Sequence, residues 1–87
     1  MQARRIVGWN VRHARVEQGL TIEELAGNSE VDASYVARVE RGTVNVSIDV
    51  IERIAKALKL RPIDLLVEPA AGSKPPKPLK AGRRPAR

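Results

Sequence analysis

Between residues 3 and 67 the aliphatic side chains recur at intervals of three and four rather than two, in short runs opened by capping residues and closed by glycines. That spacing gathers apolar groups on one face of a helix, so the chain is constrained to a set of short packed helices. Val7, Val11, Ala14 and Gln18 share one side of a first helix that stops at Gly19. Thr21-Ile22-Glu23-Glu24 reads as a capping box, in which the Thr21 hydroxyl takes an orphan amide and Glu24 reaches back. It opens a second helix carrying Leu25 and Ala26. After the break at Gly27-Asn28-Ser29-Glu30, Asp32 is a good N-cap for a third helix that buries Val36 and Val39 and ends at Gly42. Ser47 caps a fourth, with Ile48, Ile51, Ile54, Ala55 and Leu58 as its stripe. Pro62 suits the first position of a fifth, carrying Ile63 and Leu66. Five helices and no credible strand predict an all-α fold.

Composition narrows the chemistry. The 87 residues hold no cysteine, which excludes disulfides, thiolate metal sites and cysteine nucleophiles. His13 is the single histidine, so neither a His-rich metal site nor a His-dependent catalytic arrangement can be assembled. No cofactor or metal is expected, and no enzyme. Trp9 and Tyr35 are the only aromatic residues, so the core must be small and aliphatic. No apolar run reaches the ~20 residues of a membrane span and the start has no signal-peptide core, making the cytoplasm the expected location.

Charge divides the chain more sharply than hydropathy does. The formal net charge is +6, from 16 Lys and Arg against 10 Asp and Glu. Lys74, Lys77, Lys80, Arg83, Arg84 and Arg87 supply all of that excess, leaving ten basic and ten acidic residues in 1–69. The expected organisation is a compact domain over 1–68 and a Pro/Lys/Arg-rich tail over 69–87, solvated and partly polyproline-like. The tail offers non-specific attraction to a polyanion. Any selective affinity in the domain must come from how its balanced charges are placed.

Two short helices separated by a tight break, with a capped loop into a longer helix, have the layout of a helix-turn-helix. The stretches GLTIEELA, VDASYVARVERG and NVSIDVIERIAKALKLRPIDLL together resemble the Cro and phage-repressor type helix-turn-helix family along nearly all of residues 7 to 66. Asn45-Val46-Ser47 is similar to the Asn-Pro-Ser found in many controller proteins of restriction-modification systems. The resemblance implies a compact five-helix, lambda-repressor-like domain. It also implies an internal ion pair between Arg15 and Glu40 that braces the first helix on the third.

By the same resemblance, base contacts come from Ala33, Ser34 and Arg38 on the exposed side of the third helix. Arg38 is the principal one, because its planar fork matches the O6 and N7 edge of guanine. Ser34 can read several base edges and Ala33 offers only a methyl. Phosphate contacts fall to Thr21, Tyr35, Arg41, Thr43, Asn45 and Ser47, near helix N-termini with free amides. The chain departs from relatives at Ala33 and Val44, where Arg or Gln is common, and at Ile22, where a Gln often touches the backbone. DNA shape, bound water or paired half-sites must then supply more of the specificity. Glu30 stands where the turn usually has Gly. Either its backbone is left-handed, at a cost of about 1 kcal/mol, or the second helix ends earlier, near Gly27.

The leading expectation is a sequence-specific transcription regulator that binds double-stranded DNA as a homodimer through Val46, Ile63, Leu65 and Val67. It would control its own and neighbouring promoters as repressor or activator, with RNA polymerase as a further partner. The alternative is a protein-binding module of the antitoxin or anti-activator type. It would use a second apolar face on the first helix formed by Ile6, Trp9, His13 and Val16. A third reading, a nucleoid-like role led by the tail, requires DNA binding without sequence preference.

Overall fold

The computed structural model describes residues 2–70; the tail read from residue 69 onward lies outside them from residue 71 on. Four α-helices precede one 3₁₀ turn: α1 (Ala3–Glu17), α2 (Ile22–Ser29), α3 (Ala33–Arg41), α4 (Ile48–Ala57) and the turn Pro62–Leu65. No strand occurs among the described residues. The three expected caps hold: Thr21 forms the capping box with Glu24, Asp32 accepts from the Ser34 amide, and Ser47 accepts from the Val50 amide.

All four helices stop in the same way. Gly19, Glu30, Gly42 and Lys59 have left-handed backbones with φ of 72°, 58°, 72° and 60°. In each case the next amide reaches back to a carbonyl five residues earlier: Leu20 to Arg15, Val31 to Ala26, Thr43 to Arg38 and Leu60 to Ala55. This is the Schellman closure, which satisfies orphan carbonyls and turns the chain sharply. Glu30 therefore takes the left-handed alternative, and α2 runs through Gly27 to Ser29. Lys59 is a second non-glycine residue in this conformation, each costing about 1 kcal/mol relative to glycine.

The core is aliphatic. Val7, Val11, Leu20, Leu25, Val36, Val39, Ile51, Ile54, Leu58 and Leu65 are buried, joined by Ala26 and Ala55. Gly8 sets the closest approach within it. A Cβ there would stand 2.4 Å from the Val39 carbonyl oxygen and 2.7 Å from that of Glu40, so α1 rests directly on the backbone of α3.

The expected fifth helix is instead a single 3₁₀ turn, and the reason lies in Pro69 and Asn10. An α-helix would pair the Leu65 carbonyl with the amide of residue 69, but proline has none. Asn10 Nδ2 donates to the Leu65 carbonyl at 3.0 Å and to that of Val67 at 2.8 Å, ending the helical path there. The tighter turn points Leu65 inward, fully buried, and leaves Leu66 at the surface. Ile48, expected in the α4 stripe, is also exposed. It lies on the core side of the wheel, but as the first residue of the helix it extends beyond the neighbouring elements.

Gly8→Ala is expected to destabilise the fold by about 1–3 kcal/mol, because the methyl meets backbone that has no rotamer to give. Thermal unfolding checks this; an unchanged Tm would show that α1 and α3 separate freely.

Candidate nucleic-acid interface

The α2–turn–α3 unit is held from behind by one buried ion pair. Arg15 Nε and Nη2 donate to Glu40 Oε2 and Oε1 at 2.6 and 3.0 Å, while Nη1 donates to the Leu20 carbonyl at 2.8 Å. Both side chains are nearly excluded from solvent, at 8% and 5% exposure. One planar guanidinium thus fixes α1, the entry to α2 and the end of α3 together. The geometry expected from resemblance is present.

In front of that brace, α3 presents a polar face. Asp32 caps the helix by accepting from the Ser34 amide at 3.1 Å, and it also accepts the Ser34 hydroxyl in a short hydrogen bond. The Ser34 hydroxyl, the Ser34 amide and, more weakly, the Tyr35 amide and the Arg38 charge hold the Asp32 carboxyl below the usual carboxylate range. Ser34 has therefore given away its proton. Towards a base edge it offers lone pairs only, which narrows it from several edges to the amino groups of adenine and cytosine.

Arg38 is exposed, and its guanidinium carbon lies 5.6 Å from the centre of the Tyr35 ring. The ring limits the conformations of the long side chain while leaving the donor fork outward. Tyr35 is half-buried and packs against the core, so it serves Arg38 as a fixed platform. Ala33 also packs partly against the core and has less surface to offer than a freely exposed methyl.

The remaining expected contacts are distributed along one edge of this face. Thr21 is half-buried, its oxygen accepting from Glu24. Arg41, Thr43, Asn45 and Ser47 are exposed at the end of α3 and along the loop to α4. The Thr43 hydroxyl donates to the Arg38 carbonyl at 3.2 Å, and Ser47 accepts from Val50, so both side chains already serve the backbone. Val44 packs against the core and contributes no polar group.

The residues expected at a dimer face separate. Ile63 and Val67 are exposed, at 53% and 56%. Leu65 is fully buried within its own chain and has no surface for a partner, for the reason given by the 3₁₀ turn. Val46 is half-buried and lines a cleft of 560 Å³ together with Gln2, Ala3, Arg4, Ile51 and Leu66. Leu66 and Ile48, exposed at 46% and 82%, extend the apolar surface beyond the expected set. The second apolar face of α1 is only partly open. Ile6, Trp9 and Val16 are half-buried, and the Trp9 ring stacks on exposed His13 with centroids 5.9 Å apart.

Among the described residues, no helix is long and apolar enough to cross a membrane and no cluster of His, Asp or Glu could hold a metal ion.

Comparison with known proteins gives a consistent result. A helix-turn-helix family model matches residues 11–66. Over 64 residues the chain is 42% identical to control protein C.BamHI of Bacillus amyloliquefaciens, covering 72% of this chain and 79% of the relative. Among solved structures, the restriction-modification controller protein C.AhdI of Aeromonas hydrophila superposes with a TM-score of 0.69 at 42% identity, covering 71% of this chain and 94% of that one. The hypothetical transcription factor NHTF of Neisseria superposes at 0.76 with 37% identity, covering 78% of each chain.

Replacing Glu40 with Gln leaves Arg15 charged and buried without its counter-ion. A loss of about 3–5 kcal/mol in urea unfolding is expected; a loss below about 1 kcal/mol would show that the pair does not hold the helices together.

Proposed function

The chain belongs to the helix-turn-helix family of DNA-binding transcriptional regulators, which are not enzymes, and from that premise we propose that it acts as a homodimer on a two-fold symmetric operator. The operator lies upstream of its own gene and governs that promoter and neighbouring ones. The observation that carries this reading is the α3 face. Arg38 stands outward on the Tyr35 ring, Ser34 presents acceptors beside it, and the whole helix is set against α1 by the Arg15–Glu40 pair. A fixed guanidinium next to a fixed acceptor distinguishes guanine from the other bases and leaves phosphate contacts to Arg41, Thr43, Asn45 and Ser47.

Association of two copies is supported by the apolar end of the molecule. Ile63, Leu66, Val67 and Ile48 are exposed, and Val46 opens into the adjoining cleft. A domain with so small an aliphatic core gains stability by covering such a surface, and a two-fold axis lets one patch cover its own copy. The domain measures 33 × 31 × 22 Å, a size that suits two recognition helices about one turn of DNA, ~34 Å, apart. Control of its own promoter rests on the likeness to proteins named as controllers. Repression or activation then follows from where the operator lies relative to RNA polymerase.

The test is protection of DNA from the region upstream of its own gene, against scrambled competitor at near-physiological salt. Wild type is expected to protect paired half-sites together, and Arg38→Ala is expected to lose about 1–3 kcal/mol of discrimination against a wrong base. Diffuse protection that the substitution leaves unchanged would contradict the reading, and a single half-site would contradict the dimer.

A further inference from the structure

The described domain holds equal numbers of basic and acidic residues outside its single buried pair, yet the charges are not evenly spread. Carboxylates stand at the starts of both helices of the motif: Glu23 in the first turn of α2 and Asp32 at the cap of α3, both exposed. Ile22 adds no donor there. A DNA backbone approaching the α2 end meets negative charge. At the opposite end of α3 the sign reverses. Arg41 is exposed in its last turn, and two further arginines are brought to the same place by α1.

Those two are Arg4 and Arg5. A Cβ on Gly42 would lie 3.1 Å from Arg5 Cγ and 3.5 Å from the Arg4 carbonyl oxygen, so this part of α1 is seated on the residue that ends the recognition helix. The backbone contact at Gly8, one turn on, fixes the seat. Both side chains are exposed, and neither forms an ion pair or hydrogen bond with a described residue. Their position also works against α1 itself: its first turn carries no acid, and positive charge there opposes the helix dipole. Arg12, on the same stripe as Arg5 and Gly8, adds a buried Nε without an acceptor, so its charge too is uncompensated by the described residues.

We propose that Arg4 and Arg5, together with Arg41, form a phosphate clamp that grips the DNA backbone beside the α3–α4 loop. It extends the interface onto α1 and replaces the contact that Ile22 and Glu23 deny to the start of α2. This rests on the regulator reading. The ligand is duplex backbone: the clamp reads charge and spacing, not bases, and it sets the register in which Arg38 meets its base pair. The chain thereby places its electrostatic grip on one flank of the recognition helix.

The experiment measures binding of the full chain and of Arg4→Gln/Arg5→Gln to two duplexes, one from the region upstream of its own gene and one scrambled, across a range of KCl concentrations. The basic tail is common to both proteins and cancels in the difference. Each lost phosphate contact lowers the slope of log K against log [KCl] by about 0.9. The variant is therefore expected to be shallower by about 1 to 2. For two contacts, its affinity changes about tenfold less between 50 and 200 mM salt. The loss is expected on both duplexes, leaving the ratio between them unchanged and the Tm of the free protein no lower. An unchanged slope overturns the clamp. A lowered Tm with the slope intact shows that Arg5 merely braces the end of α3. A ratio that falls with the slope places the arginines at bases and overturns the phosphate assignment. If wild type itself fails to prefer the upstream duplex, the regulator reading fails, while the slope still judges the clamp.

Discussion

One buried guanidinium sets the geometry on which the rest depends. Arg15 joins α1 to Glu40 near the end of α3 and to the Leu20 carbonyl at the entry to α2, so three elements meet at a single planar group. A buried pair of this kind adds little net stability over well-packed apolar residues, and its value here is geometric. Aliphatic side chains pack in many registers, whereas a bidentate pair with a third acceptor tolerates one. Gly8 works in the same direction by letting the α1 and α3 backbones touch. Together they turn a small greasy core into a rigid mount for the recognition helix.

The helix ends carry the other half of the specification. Each of the four helices is too short to persist alone in water. Three of them open on a side-chain cap, and all four close on a left-handed residue that returns an amide to a carbonyl five residues back. Two of those closures use glycine and two accept the strain of Glu30 and Lys59. With only two aromatic residues to direct packing, local chain reversals do much of the work that bulky core side chains do in larger domains.

What could be read from the sequence follows this division. The caps at Thr21, Asp32 and Ser47 and the stop at Gly42 are local, decided within a few residues, and the spacing of Val, Ile and Leu places the α1–α4 core well. The fifth element was misread because its fate is decided at a distance. Asn10 claims carbonyls more than fifty residues away, Pro69 withholds an amide, and the consequence is that Leu65 and Leu66 exchange places. Gly8 looks like a helix fault until α3 lies across it. On the candidate site, Arg38 was evident from its position on the exposed face. The committed proton of Ser34, the partial cover of Ala33 and the seating of Arg5 on Gly42 all require a folded chain to become visible.

The charge pattern ties structure to role. The described domain is balanced overall, so its affinity for DNA rests on arrangement: acids at the helix starts, arginines along and beyond the end of α3. The six basic residues of 71–87 supply attraction that carries no sequence information. The central claim is that selectivity belongs to the domain and only general affinity to the tail. Ending the chain at Ala70 and comparing its binding to the upstream and scrambled duplexes tests that most directly. Retained preference for the upstream duplex, with weaker binding to both and a shallower salt dependence, is the expected result. Loss of the preference along with the affinity would contradict it and make the tail the DNA-binding element.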